Sequence, residues 1–563
     1  MRSAESDDKD ATKLQLLQMA ESRANYGERL KLLTKRTELI AGKENTFQVK
    51  SPWRIRVGGH RGPESILLPA FDALGMPYIP SSTLCGVVRA QAIREIMAQE
   101  QVDWKEAEKR VAPYFGSLDA PNKSDRASSV IFLDAYPLSS QESVLALDLA
   151  NNIWSWDGDS LKYSPNPNPF FSLKEPIFLI GLRLASRCTD VEILNRVKQW
   201  LILGLQSGIG SQVNTGYGKL IRAGAKELSS EFFHIDFSLE GQLIHGCQKF
   251  TKWIWKDTHN QWQMQKTPEA EVRPVAFKSM LRYWFRALAL GVLERTSDAR
   301  VWEANLFGAI TPQKHGWVRL EIRNGKVTQR EPSNQGKNDA YGEQVGILNL
   351  AYSPEAPKDK HAAIATLFKN LTWMMFHLGG IGQGARRPCY SRQNRERAPW
   401  YRGSTLFPDR EDSFWTLPDT SQEFQQLFRQ RLQHFYQALS ELTGTNINPH
   451  SLKAIGQVEC DRWTEAVDAN CRIVVCAGNA NFDKPYALAV LHSQDLKIKN
   501  RRGYEDYDAN LCGQGAKPSP VWINNLDNYQ VVTVFDATQN PRRKYLQALH
   551  KHASAYAKIW PLS

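Results

Sequence analysis

Several things this sequence does not contain narrow its class at once. None of its eight cysteines (Cys85, Cys188, Cys247, Cys389, Cys460, Cys471, Cys476 and Cys512) falls in a C-x-x-C pair, which argues against a zinc ribbon and against a disulfide framework; reduced thiols in a cytoplasmic protein are expected. No uninterrupted apolar run reaches bilayer length, and the polar stretch from Met1 to Asp10 has no signal core, so neither a membrane span nor secretion is expected. The G-x-x-x-x-G-K-[ST] phosphate loop and the dinucleotide fingerprint are both missing, which argues against a nucleotide-dependent metabolic enzyme.

Size, aromatic residues and positive charge are what the chain does have. Its 563 residues suffice for two to four domains, and 17 Trp, 18 Tyr and 23 Phe supply packed cores. Lys and Arg number 71 against 59 Asp and Glu, a formal charge of +12 that favours a polyanionic partner or an acidic protein neighbour.

Hydrophobic spacing predicts a helix over 11–38, interrupted near Gly27, that serves as a docking helix or as a cap on the first domain. A strand follows from Phe47 to Val57, then Ser81 and Ser82 as helix caps, a strand near Ser128 to Asp134, and a long loop holding Trp154, Trp156 and the prolines at 165, 167 and 169. Another strand (177–184) and helix (191–203) lead to a glycine-rich segment, Gly204 to Lys219. After a boundary near 239–245 the order repeats: a strand at 247–255, a helix around 280–288, Leu306-Phe307-Gly308, a strand at 317–322, a helix at 361–378 and a second glycine segment, Gly379 to Arg387. This repetition predicts a divergent internal duplication. The expected fold class is α+β, with an N-terminal helical segment (1–44), a first module (45–243) and a second module (244–563) carrying a helical insertion at 421–442. Late strands near 473–475 and 531–535 and a terminal helix at 542–559 complete the second module.

The chain resembles the RAMP superfamily of type III CRISPR effector subunits. The residues that carry the likeness are Gly75-Met76-Pro77-Tyr78-Ile79-Pro80 running on to Arg89, Tyr114-Phe115-Gly116, the strand 127–135 and the segment Gly204 to Lys219. The family's usual pattern is G-x-P-Y-I-P-G-S-S-L-K-G-x-x-R; Ser81 stands here where glycine is commoner and Cys85 where lysine is, which removes one RNA-facing charge. The first half is most similar to the sixth subunit of the Cmr (type III-B) module, through Trp53 to His60 followed by Glu64-Ser65. The second half is most similar to its first subunit, through Arg282 to Arg286, Leu306 to Gly308, Gly379 to Gly382 and Arg386-Arg387.

The resemblance implies two tandem ferredoxin-like (RRM-like) modules with helical and loop insertions, fused into a crRNA-binding subunit that caps the 3' part of the guide in prokaryotic antiviral defence. Its implied partners are crRNA, target RNA, the repeating backbone subunit, the small subunits and the large polymerase-like subunit. No cofactor and no metal are implied. A RAMP endoribonuclease and a protein-only scaffold are the alternatives.

The residues themselves fit an RNA surface. Gly208, Gly210, Gly216 and Gly218 can present backbone N–H groups to phosphates, with Asn214, Tyr217, Lys219 and Arg222 beside them, or can form a structural turn. Gly380, Gly382 and Gly384 do the same beside Arg386, Arg387 and Arg392, the rival being a basic loop that meets protein. Lys278, Arg282 and Arg286 recur at helix spacing, and Arg54, Arg56, His60, Arg61, Ser82 and Arg89 complete the RNA-facing set; salt bridges to nearby carboxylates explain the helix arginines almost as well. The chain is expected not to cut RNA, with His60 and Asp257 the two candidates were it an endoribonuclease.

Overall fold

Phe47 and Val49 point inward between exposed Gln48 and Lys50 until Pro52, which has no N–H to give a ladder, ends the run. The computed structural model therefore holds two strands, β1 (Thr46–Lys50) and a short Arg54–Ile55, where periodicity predicts one from Phe47 to Val57. It describes residues 6–58, 68–138, 144–151, 154–158, 160–163, 167–225, 230–257, 261–332, 340–391, 401–409, 412–459, 463–480, 483–499, 503–514 and 517–562. Ahead of β1 lie α1 (Ser6–Arg23) and α2 (Gly27–Ala41), separate helices where the spacing predicts one interrupted helix.

After β1 come α3 (Ser81–Glu100), β2 (Val130–Phe132), β3 (Ile177–Leu184), α4 (Val191–Gln206) and β4 (Ile221–Arg222). The strands pair antiparallel in the order β4-β1-β3-β2, the ferredoxin-like arrangement of a strand-helix-strand repeat. Leu84 and Val88 of α3 and Leu194, Val197, Leu201 and Leu205 of α4 share one apolar cluster with Val49, Phe178 and Ile180 of the sheet. The predicted caps Ser81 and Ser82 do not cap α3: Pro80 is the N-cap, and the Asp134 carboxylate accepts from the Ser81 N–H at 2.7 Å instead.

The same order recurs twice. β5 (Glu231–Gly241), α5 (Pro274–Leu290), β6 (Val318–Gln329), β7 (Gly342–Tyr352), α6 (His361–Leu378) and β8 (Ser404–Pro408) build a sheet ordered β6-β7-β5-β8. Its first strand is β5; the predicted strand at 247–255 belongs instead to a hairpin, His245–Lys256 with Gln261–Ala270. Beyond α7 (Ser421–Thr443), β9 (Arg472–Ala477), α8 (Tyr486–Leu491), β10 (Val521–Asn525), β11 (Gln530–Val534), α9 (Arg542–His552) and β12 (Ala555–Trp560) form a third sheet ordered β10-β11-β9-β12. The predicted terminal helix stops at His552, because residues 555–560 add an edge strand to β9.

Two units emerge: 1–150 with 167–230 and 247–268, and 151–166 with 231–246 and 269–563. The expected long loop around Trp154 is a hairpin in the second unit, its strands Trp154–Asp157 and Ser160–Tyr163 closed by a Trp154–Tyr163 ring pair at 4.9 Å. In that unit α6 touches both sheets and is buried through most of its length, and α7 runs beside it. The third sheet is covered twice: Val474, Cys476, Val532 and Val534 face α8 and α9, while Ile473, Val475, Val531 and Trp522 join the large core that includes α6 and α7.

α7 is thus a central support where the sequence predicts an insertion. Thr420 caps it, its hydroxyl accepting from Glu423 N at 3.3 Å and donating to the Glu423 carboxylate at 2.7 Å, and Gly444 ends it in the left-handed conformation. Phe424, Phe428, Leu432 and Phe435 are fully buried. Phe428→Ala is expected to lower the unfolding free energy by about 3–5 kcal/mol, read from a urea titration; a loss within about 0.5 kcal/mol, typical of surface substitutions, would mark α7 as peripheral.

Candidate nucleic-acid interface

The first glycine segment folds back onto the strand Arg54–Ile55. Gly208, Gly210, Gly216 and Gly218 all have φ between +73° and +93°, a region L side chains rarely adopt. Ser211 N donates to Arg56 O at 3.0 Å, Gly218 N to Arg54 O at 2.9 Å and Ile209 N to Gly218 O at 3.0 Å. A Cβ on Gly210 or Gly218 would collide with the carbonyl oxygen of Arg56 or Ile209. These amides hold the fold, which corrects the expectation of a row of N–H groups open to phosphate.

Arg54 also turns inward. Its Nη1 donates to Ser172 Oγ at 2.8 Å and to Leu147 O at 3.3 Å, and lies 3.7 Å from Oδ2 of the fully buried Asp148. The Tyr217 hydroxyl, itself buried, donates to the same oxygen at 2.9 Å. Arg56 is half-buried, with Nε on Ser211 Oγ at 2.9 Å and its guanidinium 5.0 Å from the centre of the Phe170 ring. Burial pulls its pKa down, against the pull of Asp148. Asn214 is buried. Ser82, Gly210 and Arg222 stay at the surface and Lys219 half-buried; Arg222 lies over the Phe47 ring at 5.2 Å, and Arg89 pairs with Glu108 at 3.1 Å. His60 and Arg61 lie outside the described residues, as do Glu64 and Ser65.

In the second unit, Lys278, Arg282 and Arg286 line one face of α5, and Glu303 from the helix Thr296–Phe307 meets two of them. Arg286 grips its carboxylate with both Nε (2.5 Å) and Nη2 (2.8 Å), and Arg282 Nε adds a third bond at 2.5 Å. Glu303 has no exposure; burial alone would raise its pKa, but Arg286 and then Arg282 outweigh that and hold it below the usual carboxylate range. Trp156 covers Arg286, ring centre to guanidinium 5.2 Å. Lys278 is half-buried with no partner among the described residues, and burial, helped by Arg282, pulls its pKa down to about 7.

The second glycine segment repeats the pattern of the first. Gly380 N donates to Ala385 O at 2.9 Å and Arg387 N to Gly384 O at 3.1 Å, while a Cβ on Gly380 or Gly384 would meet the backbone of Gly403–Ser404. Gly382, exposed at φ +83°, is the glycine of this turn that stays open. Arg386 forms two bonds to Glu465, at 2.5 and 2.9 Å, and stacks over Trp522 at 4.6 Å. Burial opposes its charge, yet Glu465 keeps its pKa above the ordinary arginine value. Tyr283 of α5 donates to Glu465 at 2.8 Å and receives Trp522 Nε1–H at 3.1 Å, so α5 and the glycine turn share one network. Arg387 is half-buried on Cys512 O at 3.2 Å. Arg392 lies outside the described residues, with Arg395, Arg397 and Trp400.

Asp257 is exposed at a hairpin turn. Asp72 accepts from Leu74 N and Met76 N, both at 2.9 Å, as a turn-forming side chain. Among the described residues no three His, Cys, Asp or Glu side chains are grouped to hold a metal, and no helix is long and apolar enough to cross a membrane. The buried acids Asp148, Glu303 and Glu465 were not singled out by sequence, since nothing local marks a carboxylate whose partners lie 17 to 182 residues away.

Residues 46–221, which span the first sheet from β1 into β4 and include its glycine segment, match the RAMP superfamily. Solved structures similar to this chain include two of Cmr proteins. One is a chain of a type III-B Cmr-beta complex bound to cognate target RNA, at 16% identity over 40% of this chain and 78% of that one, with a TM-score of 0.30. The other is Cmr6 from Pyrococcus furiosus, at 18% identity over 31% of this chain and 97% of that one, with a TM-score of 0.21. Among curated proteins no match is found.

Glu303→Ala leaves the buried Arg286 and the half-buried Arg282 without their shared counterion and is expected to cost about 3–5 kcal/mol, measured by denaturant titration at neutral pH. Because the folded carboxyl has the lower pKa, the stability Glu303 contributes is complete above the unfolded value of about 4.3 and is lost as pH falls through the folded one. Lys278 has the opposite sign: its lowered folded pKa weakens the fold wherever the unfolded lysine is charged. Lys278→Met is therefore expected to raise Tm at pH 7 and below, the gain shrinking as pH climbs toward about 10.4; a pH series of thermal melts checks this.

Proposed function

We propose that this chain is a crRNA-binding structural subunit of a type III CRISPR ribonucleoprotein effector, capping the 3' part of the guide and contacting backbone subunits without cutting RNA. The observation that carries the reading is the RAMP match over 46–221, which falls on the ferredoxin-like first sheet and on the glycine turn that closes it. The two later sheets with the same strand order support further modules of the same kind, and the charge of +12 suits a polyanion. In this reading the inward arginines Arg54, Arg286 and Arg386 position the turns. The contacts to RNA come from Ser82, Gly210, Lys219 and Arg222 in the first unit and from Lys278, Gly382 and Arg387 in the second.

Three measurements test it. A cryo-EM map of the chain purified with its native companions should show guide RNA against 208–219 and 379–387; a protein-only particle with both turns bare would favour the scaffold reading. Lys219→Ala with Arg222→Ala should weaken RNA binding and reduce the slope of log affinity against log salt by about one per lost phosphate contact. RNA cutting by the wild-type chain that disappears in Asp257→Ala would overturn the non-cutting part.

A further inference from the structure

The hairpin His245–Lys256/Gln261–Ala270 is rooted firmly and bare at its far end. Its root is fixed by Cys247, buried in the core of the first unit, and by Gln18 of α1, whose side chain accepts from Phe250 N at 3.0 Å and donates to Phe250 O at 3.4 Å. Farther out, Trp255 and Trp262 are 43% and 58% exposed, and their rings meet edge to face at 5.6 Å and 71°. Ile254 beside them is 37% exposed. Large rings left this open contribute little to the fold and present their faces to a ligand.

The charge around them points to the kind of ligand. Over the hairpin, residues 245 to 270, the sequence has four lysines, at 249, 252, 256 and 266, against two acids, Asp257 and Glu269. Protein interfaces favour tryptophan but are depleted in lysine. Lysine interleaved with exposed tryptophan is the combination that holds a strand of nucleic acid, the lysines along its backbone and the rings against its bases. Paired bases are already stacked on one another and have no free face to offer.

We propose that Trp255 and Trp262 form a stacking site for unpaired bases of single-stranded RNA, with Lys249 and Lys252 attracting its phosphates. The choice of RNA as the polymer rests on the function proposed above; the choice of unpaired bases rests on the rings.

The test uses the full chain, labelled oligouridine and an RNA duplex of equal length, with binding followed by fluorescence anisotropy and by quenching of tryptophan emission. Trp255→Ala and Trp262→Ala are each expected to weaken oligouridine binding about tenfold, to leave duplex binding unchanged, and to leave the salt slope unchanged because no phosphate-neutralising charge is removed. Trp→Phe at either position should restore most of the affinity, and thermal melts should match wild type, since neither ring is in a core. Wild-type affinity in the double alanine variant would overturn the stacking site while the RNA-binding function stands. Loss of companion subunits with RNA affinity intact would overturn it in favour of a protein contact, and a wild-type chain that binds no RNA would overturn both.

Discussion

A carboxylate sealed from water keeps its charge only if cations or hydrogen-bond donors are brought to it, and each unit of this protein holds acids that draw arginine inward. Asp148 draws in Arg54 and Tyr217, Glu303 draws in Arg282 and Arg286, and Glu465 draws in Arg386. Removing the acid in any of these groups would strand a guanidinium in low dielectric, so the arginine, the acid and the elements carrying them move as one body. Both glycine turns are fastened in this way: the first by Tyr217 and by the backbone of residues 54–56, the second by Arg386. Of the candidate residues, those left for a ligand are the ones that these internal pairs do not use.

The sheets themselves offer a ligand little. α2 lies so close over β3 that a Cβ on Gly181 would press on Thr37 and Ala41. The outer side of the second sheet carries Asp236, Glu240 and Glu343, with burial and then Glu343 raising the Glu240 pKa, and carboxylates there repel phosphate. The third sheet is packed on both faces. A ligand with a phosphate backbone is left to meet the turns, helix ends and hairpins round the sheets.

How far the sequence could be read followed the range of the forces involved. Elements set by local spacing were legible: α6 was predicted at 361–378 and lies there, and β3 at 177–184 likewise. Elements set by distant pairing were not. Residues 555–560 look helical in isolation and become a strand because β9 has an open edge, and the proline-rich stretch near Trp154 reads as loop until its Trp154–Tyr163 pair closes a hairpin. The third strand-helix succession is not legible in the sequence because its first helix has only six residues, too few for a periodic signal. Arginines were found easily, but which of them face inward depends on Glu303, Glu465 and Asp148, and no local pattern links those positions. Trp253 and Trp255 read in sequence as part of a strand and Trp262 lies beyond it, so no local pattern brings the rings of Trp255 and Trp262 together.

Residues 151–166 belong to the second unit and 247–268 to the first, so each unit includes a stretch of chain that lies within the other's run of sequence. As the polypeptide is synthesised, the first unit lacks its last hairpin until residue 268 has been made, by which time β5 of the second unit is already present. Neither unit can be freed by a single cut: a break near 243 would take Trp156 away from Arg286 and the 247–268 hairpin away from Gln18. A truncation at any one point between 151 and 268 therefore removes part of at least one unit along with the other.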